Sequence, residues 1–266
     1  MREAPIIITG MLRSGTSYTA GWLKKLGLDL GDNLMPPGVG NVDGYFEDLD
    51  FVDFHEGVLK ENGLSYKVQN EPNIFISNEK RSLAKEIILR KSKNHIWGWK
   101  VPMTCLVLDF WDGLVPEAKY IFIYRDFRSV ANSLYKWELS LCKKNTWFMK
   151  MLFELKFRIL KGHLYNLYIS SWIIYNKKIL DFVSRTNSNK YIVIKITDIY
   201  NHPEALVNII SDKFEISFDS IPINETNSNF DMSRINANKF NFKINKEKKF
   251  EAEKVLHQLD KLRIKL

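Results

Sequence analysis

The run Gly10-Met11-Leu12-Arg13-Ser14-Gly15-Thr16-Ser17 constrains the fold more than any other stretch of the chain. Before it, Pro5 to Thr9 is a short β-branched segment that ends at Gly10 and reads as a buried strand. After it, Tyr18, Trp22 and Leu26 recur at helical spacing over Thr16 to Leu26, and Gly27 ends the run. A loop between a strand and a helix N-terminus offers consecutive backbone N–H groups to an anion, with the helix dipole behind them. Gly10 and Gly15 have the separation of the phosphate-binding pattern G-x-x-x-x-G-K-[ST], and Ser17 occupies its terminal hydroxyl position. Thr16 stands where that pattern carries lysine, and the loop's cation comes earlier, at Arg13. A turn that needs glycine for backbone reasons alone is the plainer reading. The strand before, the helix after and the Arg-Ser-Gly-Thr-Ser content favour a cradle for a phosphate-like anion.

Further strands are expected at Ile96 to Val101, Tyr120 to Tyr124 and Tyr191 to Ile196. Helices are expected around Phe51, Phe54, His55 and Val58, over Arg81 to Arg90, over Met103 to Trp111 and over Asp126 to Trp137. Phe148 to Phe182 reads as one or two helices, and Pro203 opens another that runs to about Lys213. The segment 220–245 has no clear period and reads as a loop or flap. Val255, Leu259, Leu262 and Leu266 predict a final amphipathic helix. Strands alternating with helices predict an α/β fold with a parallel sheet covered on both faces. No repeat or linker divides the chain, so one domain over residues 1–266 is expected, with 220–266 its most divergent part.

Hydrophobic residues make up 45% of the 266 and charged residues 26%, a balance that excludes disorder over the whole chain. The net charge of +8 favours anionic partners and leaves peripheral contact with a membrane surface open. Two cysteines, Cys105 and Cys142, suggest neither a zinc site nor a disulfide framework. No apolar run is long enough to span a bilayer, and the strand begins too early for a signal peptide, so a cytoplasmic protein is expected. Asn224-Glu225-Thr226 fits a glycosylation acceptor, a triplet common by chance.

A second constellation lies in Tyr124-Arg125-Asp126-Phe127-Arg128-Ser129-Val130-Ala131-Asn132-Ser133. Arg125 falls at the carboxyl end of a strand, where ligands of open α/β sheets bind, and Ser133 lies two helical turns on. Taken alone, Arg125 pairing with Asp126 and Ser133 facing water would be an equal reading. Together the two segments resemble the sulfotransferases that use 3′-phosphoadenosine-5′-phosphosulfate (PAPS), in particular bacterial members acting on carbohydrates or small molecules. Those enzymes carry [KR]-S-G-T-[TS] and Y-R-D-x-R-x-V-x-x-S, and both patterns stand here in that order, about 110 residues apart. Gly44-Tyr45-Phe46-Glu47-Asp48 and Trp97-Gly98-Trp99-Lys100-Val101-Pro102 add to the likeness, which is recognisable over roughly residues 5 to 215.

The resemblance implies a P-loop-NTPase-like three-layer αβα fold and transfer of a sulfuryl group from PAPS to an acceptor hydroxyl, on a glycan or glycolipid, with no metal. It implies that Arg13 neutralises the leaving oxygen and that Ser14, Gly15, Thr16 and Ser17 cradle the 5′-phosphosulfate. Tyr18 stands where many relatives stack a tryptophan on adenine, and Arg125 and Ser133 match the 3′-phosphate contacts. Glu47 matches the carboxylate base, and Lys100 a lysine that contacts the sulfuryl group or acceptor. This chain departs from the family at Val101 and Met103, where relatives often carry Asp and Arg.

His55 rivals Glu47 as base because imidazole titrates near neutrality, although its helical, apolar neighbours favour a buried structural role. Asp48 is a candidate N-cap. Trp97 and Trp99 read as core aromatics before they read as a sugar platform, and Arg234 is a candidate nucleotide contact. A P-loop kinase is the alternative: it needs a loop lysine and a magnesium-binding carboxylate, for which Asp126 or Asp198 would have to serve. A nucleic-acid partner is not expected, because the arginines singled out fall at strand ends rather than interleaved with aromatics on one surface.

Overall fold

The computed structural model describes residues 3–41, 44–93, 95–142, 147–218 and 244–266. Strand β1 (Ile6–Thr9) is buried at every position, as expected of a β-branched run covered on both sides. It pairs in parallel with β2 (Gly98–Lys100) on one side and β3 (Lys119–Tyr124) on the other, and β3 pairs in parallel with β4 (Tyr191–Lys195). The order is β2-β1-β3-β4.

Alternation along the strands sorts the core into two layers. Ile6, Ile8, Ile121, Ile123, Ile192 and Ile194 face α1 (Thr16–Lys25), α8 (Ile196–Asn201) and α9 (Pro203–Phe214). Ile7, Tyr120, Phe122, Tyr124 and Val193 join the opposite core, with α2 (Leu49–Glu61), α3 (Asn78–Lys91), α4 (Leu108–Leu114), α5 (Phe127–Cys142), α7 (Lys161–Arg185) and α10 (Lys246–Leu262). This is the expected α/β sandwich, helices on both faces of a parallel sheet.

Several boundaries differ from expectation for physical reasons. The helix expected over Met103 to Trp111 opens as a 3-10 segment at Pro102–Val107 before α4 begins. There the Val101 carbonyl accepts from Thr104 N at 3.2 Å, an i to i+3 bond, and Thr9 Oγ1 of β1 lies 2.9 Å from the same oxygen and 3.2 Å from that of Pro102. The apolar stretch after residue 147 divides into α6 (Trp147–Ile159) and α7. Helix α10 ends at Leu262; Ala252, Val255 and Leu259 form its buried face, while Leu262 and Leu266 are exposed. Helix α8 was not legible in advance. Residues 220–243, with Arg234 and the Asn224 triplet, lie outside the described residues.

The chain leaves β1 to form β2 on one side of it and then crosses to form β3 on the other. The carboxyl ends of β1 and β3 therefore flank the point where the winding reverses, the crevice in which open α/β sheets bind ligands. Gly10 and Arg125 are the first residues beyond those two ends.

Candidate active site

The approach of β1 to β3 explains Gly10: a Cβ built there would lie 2.0 Å from the carbonyl oxygen of Ile123. The loop then turns through Arg13, whose φ of 71° is left-handed, an uncommon conformation for a residue with a side chain. Gly15 caps α1 at φ 103°, and a Cβ there would meet Ile196 Cδ1 at 2.3 Å. No side chain caps α1 and its first turn holds no acidic residue. The first N–H groups of a helix lack intrahelical partners, so these face the crevice with the positive end of the dipole. The Ser14 hydroxyl is fully buried and without a hydrogen-bond partner among the described residues.

Cations converge on this loop from three elements. Arg13 Nε donates to Ser133 Oγ on α5 at 3.0 Å, and its terminal nitrogen donates to the Gly40 carbonyl at 3.1 Å. Arg125 donates to the Arg13 carbonyl at 3.4 Å, and its own carbonyl accepts from Trp172 Nε1 at 3.0 Å. Burial, reinforced by the Arg13 charge and opposed by Asp126, pushes the Arg125 guanidinium down to about 10. Lys100, at the end of β2, is wholly buried; its Nζ donates to Ser17 Oγ at 3.1 Å and forms a close ion pair with Glu47 Oε1. Burial holds Lys100 below the usual lysine range, with Glu47 opposing the shift and Arg13 adding to it. A site this rich in positive charge is suited to a polyanion.

Glu47 is held from both sides in sequence. Phe46 adopts a left-handed φ of 54°, with its ring over Gly21 of α1, where a Cβ would sit 2.7 Å from Cε2. Asp48 caps α2 as expected, accepting from Asp50 N at 3.0 Å, and pairs with Lys91 at 2.7 Å. Between these anchors the Glu47 carboxylate is nearly buried against Lys100.

The structure thus brings Arg13, Ser14, Gly15, Ser17, Glu47, Lys100, Arg125 and Ser133 together. Thr16 and Tyr18 lie in the first turn of α1, directly after the loop. Thr16 is buried, with Cγ2 turned toward Gly10. Tyr18 is half-buried against the α1–α8–α9 core, and burial, with a contribution from Tyr200, pushes its hydroxyl up to about 12.

His55 forms its hydrogen bonds with other residues. Its Nε2 accepts from Trp111 Nε1 at 3.0 Å, with Thr104 Oγ1 also at 3.0 Å, and its Nδ1 lies 2.6 Å from the Phe51 carbonyl. An indole N–H can only donate, so Nδ1 carries the imidazole proton. Burial drives its pKa down to about 4, against the Phe51 hydrogen bond. His55 is a neutral structural histidine. Trp97 and Trp99 are likewise buried in the core, Trp99 stacked on Phe51 at 4.4 Å.

Three contributors were missed in sequence. Asn41 Nδ2 donates to Ser17 Oγ at 2.9 Å, the Gly40 carbonyl accepts from Arg13, and Trp137 Nε1 donates to the Val39 carbonyl at 2.9 Å. The run Pro36-Pro37-Gly38-Val39-Gly40-Asn41 that carries two of them has neither a helical nor a strand period in sequence. Of the carboxylates a kinase would need, Asp126 accepts from the Arg128 and Ser129 N–H groups at 2.8 and 3.3 Å and pairs with Arg128; Asp198 Oδ1 pairs with Arg263 at 3.5 Å, while its buried Oδ2 has no hydrogen-bond partner among the described residues. No group of three His, Cys, Asp or Glu among the described residues is placed to hold a metal ion. A cavity of about 190 Å³ lies apart from these cations, along the far side of the 3-10 segment between Ile74, Leu106, Phe110 and Arg185.

No family model matches the chain, and no curated protein matches it. Solved structures do. The sulfotransferase domain of the Synechococcus PCC 7002 olefin synthase aligns at TM-score 0.56 and 16% identity, over 96% of this chain and 95% of that one. The sulfotransferase domain of the curacin biosynthetic pathway aligns at TM-score 0.57 and 13% identity, over 98% and 99%. Sulfotransferase STF9 of Mycobacterium avium aligns at TM-score 0.55 and 14% identity, over 100% of this chain and 78% of that one. With its four-stranded parallel sheet, P-loop-like turn and helices on both faces, the chain has the sulfotransferase fold.

Proposed function

We propose that this protein transfers a sulfuryl group from PAPS to an acceptor hydroxyl by in-line displacement. The observation that carries the reading is the convergence of Arg13, Lys100 and Arg125 on an uncapped helix start beside a buried, unpartnered Ser14 hydroxyl. That donor set fits a ligand with two separated anionic groups. The loop N–H groups with Ser14 and Ser17 would hold the 5′ end, and Arg125 with Ser133 the 3′-phosphate. Ser133 accepts from Arg13 and keeps its own hydroxyl proton to donate.

PAPS, when bound, supplies the electrophilic sulfur and an adenosine bisphosphate leaving group. Glu47 takes the proton of the attacking hydroxyl as that oxygen bonds to sulfur and the sulfur–phosphate oxygen bond breaks. Lys100 shares its N–H groups between Glu47 and Ser17, which ties the base to the phosphate loop. Arg13 neutralises the charge that develops on the departing oxygen. The acceptor class, a hydroxyl of a glycan or glycolipid, rests on the sequence resemblance to bacterial members.

Adenosine 3′,5′-bisphosphate should protect the protein against heat without magnesium, and radiolabelled PAPS should label an acceptor in extracts of the source cells. Protection by ATP that requires magnesium, with none from the bisphosphate, would overturn the reading in favour of a kinase.

A further inference from the structure

Helix α6 (Trp147–Ile159) exposes apolar side chains that nothing among the described residues covers. Met151, Leu155 and Ile159 follow at intervals of four, with Leu152 beside them and Leu160 just beyond, all exposed; Leu155 is 55% and Ile159 73% accessible. The helix is held from beneath by Phe157, whose ring lies 5.9 Å from Tyr135 on α5. Thirteen residues make a rod about 20 Å long, so this is a contiguous stripe rather than a scattered leucine or two.

The charges on the same helix are one-sided. Its sequence holds Lys150, Lys156 and Arg158 against a single acidic residue, Glu154. Lys156 and Arg158 are exposed and form no ion pair among the described residues. An apolar face flanked by cations is the signature of a helix lying in a membrane interface. A two-fold contact between copies would set the same patch against itself, bringing Lys156 and Arg158 of both chains together. The chain's net charge of +8 adds to that repulsion and favours an anionic surface. No described helix is long and apolar enough to cross a membrane, so the contact is a peripheral one.

We propose that α6 is a membrane-docking helix, with Met151, Leu152, Leu155 and Ile159 entering the headgroup boundary of an anionic bilayer and Lys156 and Arg158 engaging its phosphates. The inference needs no assumption about sulfuryl transfer, and its test contains no sulfuryl donor. Purified full-length protein should sediment with vesicles of phosphatidylcholine mixed with phosphatidylglycerol, and remain in solution with phosphatidylcholine alone. Leu155→Glu with Ile159→Glu should weaken sedimentation tenfold or more (roughly, for loss of two buried apolar side chains). Lys156→Ala and Arg158→Ala should each weaken it roughly fivefold. Thermal midpoints of these variants should stay near that of the parent, because the side chains are exposed. The proposal fails if the parent ignores the mixed vesicles, or if the double glutamate variant binds as the parent does. It also fails if the parent elutes as a dimer that the double variant dissociates, since α6 would then pair with a second copy.

Discussion

Arg13 Nε donates to Ser133 Oγ at 3.0 Å, joining two segments that lie 120 residues apart in sequence. The link ties the loop at residues 10–17 to the second turn of α5. Ser133→Ala removes the acceptor that aims Arg13 and, in the proposed function, a donor to the 3′-phosphate. Affinity for adenosine 3′,5′-bisphosphate should fall about tenfold, the worth of one charge-assisted hydrogen bond. Affinity for adenosine 5′-phosphate should change much less. Calorimetric titration of both nucleotides into both proteins measures the difference, and equal losses would count against a 3′-phosphate role.

How much of this could be read beforehand follows from the range of each interaction. The loop was legible because a β-branched strand, two glycines and a helical period are all local. The ion pair of Lys100 with Glu47 was not, since it depends on β2 lying beside β1 and on two anchors that turn Glu47 inward. Asn41 escaped notice for the same reason: its partner, Ser17, belongs to another element. Helix α8 follows β4 with no glycine or proline between them, so Ile196 reads as the last residue of the strand rather than the first of a new helix.

Glu47 and His55 make opposite predictions as candidate bases. Glu47→Gln should lower sulfuryl transfer by roughly two to three orders of magnitude with little change in nucleotide affinity. His55→Gln should leave turnover within a few-fold, because the imidazole is enclosed by Phe51, Thr104 and Trp111. Single-turnover rates with radiolabelled PAPS decide between them, and a collapse on His55→Gln in a folded protein would reverse the assignment.

The same histidine sets an acid limit on stability. Its folded pKa of about 4 lies below the ordinary 6.5, so in that window the unfolded chain binds a proton that the folded chain does not. Stability is therefore full above pH 6.5 and declines as pH falls toward 4, by up to about 3 kcal/mol. Urea unfolding of the parent and of His55→Gln at neutral and mildly acidic pH checks this. The variant should be less stable at neutrality, having lost satisfied partners, but should show a shallower decline.

Lys100 predicts a shift on the alkaline side. Burial, with Arg13 nearby, leads it to lose its proton at lower pH than an ordinary lysine despite Glu47. Activity that needs the ammonium should fall on that limb, and Lys100→Arg, which keeps its charge, should move the limb upward. Lys100→Met should cost roughly two to three orders of magnitude in turnover at neutral pH. Combined with Glu47→Gln, its effect should be much less than additive, because the two side chains form one pair.

Two glycines with positive or near-extended φ give contrasting predictions for the fold beneath the site. Gly63 follows α2 at φ 65° with nothing within 4 Å of a built Cβ, so Gly63→Ala costs only the left-handed conformation, about 1 kcal/mol. At Gly10 the obstacle is the Ile123 carbonyl oxygen, 2.0 Å from a built Cβ, and backbone cannot swing aside as a side chain would. Gly10→Ala must part β1 from β3 at the point where both enter the site, costing about 3 kcal/mol or more. The displacement also carries the loop away from Ser133 and Arg125. Thermal unfolding should rank Gly10→Ala well below Gly63→Ala. Any Gly10→Ala protein that remains folded should bind adenosine 3′,5′-bisphosphate weakly, whereas Gly63→Ala should bind it as the parent does. Equal stability losses at the two positions would mean that β1 and β3 do not meet this closely.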